Sequence, residues 1–221
     1  MNKDNKIHFI GIAGIGMSSL AEFLYKNYTV TGSDLSGNEI TTKLKKIGIK
    51  IYEDQSAQNI TNQDLIIYTS AIKNNNPELV EAKKRGIKCI TRGEALGEFT
   101  CKDNNVCITG THGKSTTTNY LAQILLNCGK KPSVFLGAIN TKYNTNFIYN
   151  RSNLNVIEAD ESDNSFNFLN SMYSIITNID FDHMDFYKTK KNLYLAFENF
   201  IKKTTNKVIV NNDCPNIKNI I

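Results

Sequence analysis

Short apolar runs alternate with helix-like segments along the chain. In its first part, strand-like runs are predicted at 7–11, 28–33, 49–52, 64–69 and 87–91. Helical spacing of apolar residues occurs at 18–27, 39–47 and 77–85. A second series predicts strands at 105–109, 133–136, 154–158, 174–178 and 207–210, with helices at 114–128 and 190–203. This alternation is typical of α/β proteins built on parallel sheets.

Polar residues at 100–104 separate the two series, and each series opens with a glycine-rich turn between a strand and a helix. Such a turn normally lies at the carboxyl end of the first strand of an α/β unit. We therefore predict two domains, 1–102 and 103–221, and a loop rich in Asn and Thr at 140–153.

Composition excludes several classes of protein. The 221 residues carry a net charge of +5 from scattered lysines, without a basic block containing aromatic residues, so nucleic acid is not an expected partner. No apolar run reaches about 18 residues, so membrane insertion is not expected. The beginning of the chain lacks a secretory signal, which predicts a cytoplasmic location. The five cysteines form no CxxC pair and are expected to be buried, reduced thiols.

The first glycine turn is typical of a site for a nucleotide diphosphate. Gly11, Gly14 and Gly16 follow an apolar run and open a helix, where backbone amides can approach a pyrophosphate. Asp34 ends the second strand, where a carboxylate could accept hydrogen bonds from ribose hydroxyls. Ala13 replaces the second glycine of the strict GxGxxG pattern. A purely structural turn and an NAD(P)-binding oxidoreductase therefore remain alternatives.

The second glycine turn carries the strongest chemical signal. An apolar strand leads into Gly110-Thr111-His112-Gly113-Lys114-Ser115-Thr116, a shortened phosphate-binding loop that opens a helix. Backbone amides of such a loop surround phosphate oxygens, Lys114 can reach the β- and γ-phosphates, and the Ser115 hydroxyl can bind Mg²⁺. The turn predicts ATP binding. We expect Lys114→Ala to abolish that binding and to leave the melting temperature nearly unchanged.

Two acidic clusters follow apolar strands further along the chain. Glu158 begins the first cluster, and His183 lies within the second, at 180–185. Carboxylates at the ends of parallel strands suit Mg²⁺, which needs only one or two protein ligands besides phosphate and water. The alternative is that these residues cap local turns.

Together and in this order, these motifs resemble the Mur ligase family, in its muramate–alanine branch. The resemblance covers nearly the whole chain and is carried by GIAGIGMSSLAEFL, GSDL, TSAI, NPE, GTHGKSTTT, EADESD and NIDFDHMDFY. It implies a Rossmann-like parallel-sheet domain for a UDP-sugar, followed by a truncated P-loop-type α/β domain for ATP.

The resemblance also implies site residues. Those implied for the UDP-sugar are Gly11, Ala13, Gly14, Gly16, Met17, Ser33, Asp34, Ser70 and Ala71. Those implied for ATP are Gly110, Thr111, His112, Gly113, Lys114, Ser115 and Thr116. The implied Mg²⁺ ligands are Ser115, Glu158 and His183, and the implied catalytic residues are Lys114, Glu158 and His183.

The implied reaction is ATP-dependent ligation of L-alanine to UDP-N-acetylmuramate through an acyl phosphate. Several sister ligases use a carbamylated lysine on the helix after DHMD, whereas 192–201 contain no lysine and Phe197 occupies that place. Family sequences continue well beyond Ile221, so we expect a fragment that lacks the C-terminal ligase domain and is inactive alone. A murein tripeptide ligase and a non-catalytic UDP-sugar-binding protein remain alternatives. A folylpolyglutamate synthase fits less well, because it lacks the first glycine-turn domain.

Overall fold

A computed structural model describes residues 4–140 and 143–221, which divide into two compact units between Ala95 and Leu96. Both units combine helices with mainly parallel strands, so the α/β prediction is confirmed. Helix α4 (Arg92–Thr100) includes this boundary. No helix in these two described stretches is long and apolar enough to cross a membrane.

The first unit is built on a five-stranded parallel sheet. Its strands are β1 (Lys6–Ile10), β2 (Thr29–Ser33), β3 (Lys50–Tyr52), β4 (Leu65–Tyr68) and β5 (Lys88–Thr91). Its helices are α1 (Ile15–Leu24), α2 (Glu39–Lys46) and α3 (Pro77–Lys84). The strand order is β3-β2-β1-β4-β5, and every pairing is parallel. Ile10 is level with Ser33 and Tyr68, so the segments after β1, β2 and β4 leave from one edge.

Apolar residues from the sheet and from α3 form a core in this unit. Ile10, Ile66 and Leu79 are fully buried in one cluster. Helix α3 begins where the sequence favours a helix start, because the Asn76 side chain accepts hydrogen bonds from two backbone amides and Pro77 occupies the first turn.

The second unit contains a six-stranded sheet. Its strands are β6 (Asn104–Thr109), β7 (Ser133–Asn140), β8 (Thr145–Ile148), β9 (Leu154–Glu158), β10 (Ser171–Ile176) and β11 (Thr204–Val210). Its helices are α5 (Lys114–Asn127), α6 (Met184–Tyr187) and α7 (Lys190–Lys202). The strand order is β11-β10-β6-β9-β7-β8, and among the described residues only the β7–β8 pairing is antiparallel.

The second core includes an aromatic cluster between α7 and the segment before β10. Phe166 lies 5.2 Å from Phe197 and 5.0 Å from Phe200, measured between ring centroids. All three rings are fully buried. Phe197, at the position where the family resemblance implies a lysine in several members, is therefore part of the hydrophobic core.

Several local predictions differ from the structure. The predicted loop at 140–153 contains strand β8, while residues 141 and 142 lie outside the described part of the chain. Helix α4 was not predicted because two of its nine residues are glycines, which disfavour helix formation. Gly97 is required there, since a Cβ atom would lie 2.2 Å from the Phe168 carbonyl oxygen. The prediction of buried thiols was wrong for Cys101 and Cys128, which are exposed.

Candidate nucleotide sites

The second glycine turn has a backbone that depends on two glycines. Strand β6 ends at Thr109, Gly110 has φ +131°, and Gly113 has φ +81° at the start of α5. A Cβ atom at Gly110 would lie 2.2 Å from Thr177 Oγ1, so a larger residue cannot fit. No side chain caps the start of α5, which leaves its first amides directed toward the loop.

Residues after the neighbouring strand β10 hold this loop in place. Thr177 Oγ1 donates to the His112 carbonyl oxygen at 2.7 Å. Asn178 accepts from the His112 amide and donates to the His112 carbonyl oxygen, both at 2.9 Å. Neither residue was among those predicted for the site, although parallel strands end at one edge of a sheet and this rule indicates both of them.

Lys114 is held by acceptors inside the loop and by one carboxylate. Its ammonium nitrogen lies 2.7 Å from the Gly110 carbonyl oxygen, 3.3 Å from that of Thr111 and 2.9 Å from Glu161 Oε1. An ammonium group has three N–H donors. A phosphate that binds Lys114 must therefore replace at least one of these partners.

Glu161 is a buried carboxylate that was not among the residues predicted for the site. Its side chain is 2% exposed, and its Oε2 atom has no hydrogen-bond partner among the described residues. Burial raises the pKa of Glu161, and the hydrogen bond from Lys114 opposes that rise. The Tyr187 hydroxyl donates to the Glu161 carbonyl oxygen. The surrounding cluster, EADESD, contains this residue, but only the folded structure shows that it faces Lys114.

Ser115 and Glu158 meet at the end of β9. Ser115 Oγ donates to Glu158 Oε1 at 2.7 Å, and the Gly137 amide donates to Glu158 Oε2 at 2.8 Å. A Cβ atom at Gly137 would lie 2.6 Å from that carboxylate. A hydroxyl and a carboxylate side by side offer hard oxygen ligands of the kind that Mg²⁺ binds.

The other acids of the first cluster have local roles. Asp160 Oδ1 accepts from the Ser162 amide at 3.0 Å, and Asp163 Oδ1 accepts from the Ser165 amide at 3.1 Å. These contacts are those of turn-capping residues. The cluster thus divides between two acids that turn toward the phosphate loop and two that stabilise the following turn.

His183 is paired with carboxylates rather than with the Ser115–Glu158 pair. Its backbone is left-handed, with φ +55°, and its Nε2 atom lies 3.9 Å from Glu161 Oε1 and 3.8 Å from Asp182 Oδ2. Within residues 4–140 and 143–221, no group of three or more His, Cys, Asp or Glu side chains is arranged to hold a metal. His112 and Thr116 are exposed, the first near Asp180 and the second in the first turn of α5.

The first glycine turn begins at Gly11, which has φ +82°. The amides of Gly11 and Ile12 both donate to the Ser33 carbonyl oxygen, at 2.9 and 3.1 Å. Helix α1 then starts from Gly14 without a side-chain cap. The side chain of Arg92 lies against Gly16. A Cβ atom added at Gly16 would lie 3.2 Å from the guanidinium Nη1 of Arg92. Arg92 was not among the predicted residues, and nothing in its local sequence distinguishes it.

Asp34 is tied to the backbone on both sides of its carboxylate. Oδ2 accepts from the Ala13 amide and Oδ1 from the Ser36 amide, both at 2.8 Å. Ser70 and Ala71 are exposed after β4. The Met17 side chain, in contrast, is buried in the core of the unit, so only its backbone belongs to the turn.

Comparisons with known proteins give matches along both units. The Mur ligase family, catalytic domain, matches residues 6–103, and the Mur ligase middle domain matches residues 108–221. The UDP-N-acetylmuramate–L-alanine ligase of Aquifex aeolicus is 42% identical over 98% of this chain and 48% of the relative. That of Fusobacterium nucleatum is 40% identical over 98% of this chain and 46% of the relative.

A solved structure agrees with these matches. The UDP-N-acetylmuramate–alanine ligase of Thermotoga maritima has a TM-score of 0.90 and 34% identity, covering 97% of this chain and 51% of that one. The chain spans about half the length of the curated relatives it matches.

Proposed function

This chain belongs to the Mur ligase family, and we propose that it carries the nucleotide sites of an ATP-dependent ligase that joins L-alanine to UDP-N-acetylmuramate. The observation that carries the proposal is the second glycine turn, where Lys114 and Ser115 face Glu161 and Glu158. Relatives at about 40% identity bear the name of this activity.

Residues 103–221, which make up most of the second unit, are proposed to form the ATP-binding domain. The amides of the turn surround phosphate oxygens, and Lys114 neutralises charge on the β- and γ-phosphates. Ser115 and Glu158 are the proposed ligands of Mg²⁺. His183 lies beside Glu161 rather than beside this pair, and it is proposed to join them when Mg·ATP is bound. The metal would neutralise charge that develops on the phosphates. Thr177 and Asn178 hold the loop in the shape that this binding requires.

Residues 1–102, which include the whole first unit, are proposed to form the UDP-sugar-binding domain. Helix α1 starts without a side-chain cap and suits a diphosphate. A carboxylate offers about four acceptor positions, so Asp34 can keep its two backbone partners and still accept from ribose hydroxyls. Ser70 and Ala71 are exposed after β4 and are proposed to contact the same ligand.

The proposed chemistry has two displacement steps. An oxygen of the lactyl carboxylate attacks the γ-phosphorus, and ADP leaves, which gives an acyl phosphate. The amine of L-alanine attacks the acyl carbon, a proton leaves the nitrogen, and inorganic phosphate departs. Lys114 stabilises charge on the transferred group, so its contribution is positioning and electrostatics. Since ATP and UDP-sugars are cytoplasmic metabolites, we propose a cytoplasmic location.

Calorimetric titration with Mg·ATP and with UDP-N-acetylmuramate, done separately, tests the two sites. Lys114→Ala should abolish ATP binding, whereas Lys191→Ala, which removes an exposed lysine of the same unit, should not. Asp34→Asn should weaken UDP-sugar binding, whereas Glu39→Gln, at an exposed acid of the first unit, should not. If the unaltered chain binds neither Mg·ATP nor UDP-N-acetylmuramate, the proposal is refuted.

The reaction itself is tested by phosphate release that depends on L-alanine, measured on this chain and on this chain joined to the C-terminal region of a relative, with the murein tripeptide as the competing amine. Faster release with the tripeptide would favour a tripeptide ligase. Binding of the UDP-sugar without any binding of ATP would favour a non-catalytic binding protein.

A further inference from the structure

The NPE motif at 76–78 brings a fully buried carboxylate to the end of β2. Glu78, in the first turn of α3, is 0% exposed. Its Oε2 atom accepts from the Ser33 hydroxyl at 2.5 Å, and its Oε1 atom accepts from Asn59 Nδ2 at 2.8 Å. His8 Nε2 lies 3.4 Å from Oε1, and both side chains are inaccessible to solvent. The carboxylate is thus the centre of a buried polar network.

Ser33 connects this network to the first glycine turn. Its hydroxyl donates to Glu78, while its carbonyl oxygen accepts from the amides of Gly11 and Ile12. The backbone is tightly packed at this point, since a Cβ atom on Gly32 would lie 2.5 Å from Ile12 Cδ1. A shift of Ser33 would therefore move the amides that shape the turn.

Stability alone does not account for a buried carboxylate at this position. Removing charged groups from water is costly, and well-packed apolar replacements of buried ion pairs are often as stable or more stable. An acid in the first turn of a helix interacts favourably with the helix dipole, but that benefit does not require burial. The hydrogen bond to Ser33 gives the carboxylate a geometric role that an apolar side chain cannot supply.

We infer that Glu78 is a positioning residue for the first glycine turn, acting through Ser33. The inference rests on the proposed function, because the turn matters only if it binds the UDP-sugar. Glu78 fixes the Ser33 hydroxyl, Ser33 fixes the amides of Gly11 and Ile12, and these set where α1 begins. Loss of Glu78 then weakens UDP-sugar binding without affecting the ATP site.

The test compares Glu78→Ala and Glu78→Gln with Leu79→Ala. Leu79 is the next residue of α3, is fully buried in the apolar core and has no side-chain polar atom. It therefore controls for destabilisation of the same helix. Binding of UDP-N-acetylmuramate and of Mg·ATP is measured by calorimetry below the melting transition of each variant. Amide hydrogen exchange at Gly11 and Ile12 is followed by NMR, with Ile67 of β4 as an internal reference.

Glu78→Ala should weaken UDP-sugar binding by on the order of tenfold, which corresponds to the loss of about one hydrogen bond involving a charged group. Glu78→Gln, which keeps one acceptor oxygen, should have a smaller effect and covers the case in which the alanine variant does not fold. Both variants should speed exchange at Gly11 and Ile12 but not at Ile67. Leu79→Ala should lower the melting temperature and leave UDP-sugar affinity unchanged.

Two results would overturn the inference. One is that neither Glu78 variant speeds exchange at Gly11 and Ile12. The other is an equal loss of UDP-sugar affinity in Leu79→Ala, which would make the effect a general loss of stability. If the unaltered chain binds no UDP-sugar, the proposed function of the first unit fails, while the exchange measurement still decides the role of Glu78.

Discussion

Replacement of Lys114 by alanine should destabilise the second unit even when no nucleotide is present. From the sequence, Lys114 was expected to serve phosphate binding alone, so that Lys114→Ala would leave the melting temperature nearly unchanged. In the structure, the Lys114 ammonium lies 2.9 Å from the carboxylate of Glu161, which is 2% exposed. Its removal leaves a buried acid that has lost its charged partner.

The size of the effect follows from this burial. Removing one partner of a buried ion pair costs about 3–5 kcal/mol. The Lys114 side chain is 17% exposed, so solvent screens part of the attraction and we expect a value near the lower end. A loss of about 3 kcal/mol in a chain of this size lowers the melting temperature by roughly 6–12 °C.

Differential scanning calorimetry without nucleotide measures this loss, with Lys191→Ala as the exposed-lysine control. The double variant Lys114→Ala/Glu161→Gln should recover most of the stability, since the glutamine removes the unpaired charge and keeps the shape. If Lys114→Ala has the same melting temperature as Lys191→Ala, the ion pair between Lys114 and Glu161 contributes nothing to stability. Failure of Glu161→Gln to rescue it would show that the loss has another cause.

Two further predictions concern packing and a buried thiol. Gly97→Ala should lower the free energy of unfolding by about 1–3 kcal/mol, because the added Cβ atom meets the Phe168 carbonyl oxygen. Urea titration measures this loss. Gly37→Ala, where the added Cβ atom lies in open space, is the control and should show no such loss. Equal stability of these variants would contradict the packing of α4. Burial raises the pKa of Cys107 from 9.0 to about 12, so its thiol should resist alkylation that modifies Cys101 rapidly. The folded state holds the Cys107 proton more tightly than the unfolded state does. The contribution of Cys107 to the free energy of unfolding is therefore complete below pH 9.0 and is lost as the pH rises toward about 12. Comparing the pH dependence of stability in the unaltered chain and in Cys107→Ala measures this contribution. Equal alkylation rates at Cys107 and Cys101 would refute the predicted protection of the Cys107 thiol.

The sequence predicted those features that depend on local pattern. Apolar runs of strand length and helical spacing gave the α/β class, and α3 starts at Pro77, where the proline indicated the start of a helix. The glycines at 110 and 113 predicted a turn between a strand and a helix, and the structure has that turn, with positive φ at both glycines. Acids at strand ends were expected near the phosphate loop, and Glu158 contacts Ser115 there.

What the sequence could not predict depends on contacts between distant segments. Helix α4 contains glycines because another segment packs closely against it, and a local propensity argument cannot include that neighbour. Glu161 and Asp160 belong to one acidic run, yet one is buried against Lys114 and the other accepts from a nearby amide. Only the direction of each side chain in the folded chain distinguishes a site residue from a capping residue.

The two glycine turns share a backbone design but differ in charge, which supports different ligands for them. Gly11 and Gly110 both have positive φ after a strand, and both turns lead into a helix without a side-chain cap, a feature that favours bound anions. In the first turn the carboxylate of Asp34 accepts from the Ala13 amide and the side chain of Arg92 lies against Gly16, whereas in the second the ammonium of Lys114 donates to the loop carbonyl of Gly110. The first turn thus offers a carboxylate that can accept from ribose hydroxyls beside a guanidinium that can face a diphosphate. An ammonium suits the higher charge of a triphosphate. This contrast favours one sugar nucleotide and one ATP over two copies of the same nucleotide.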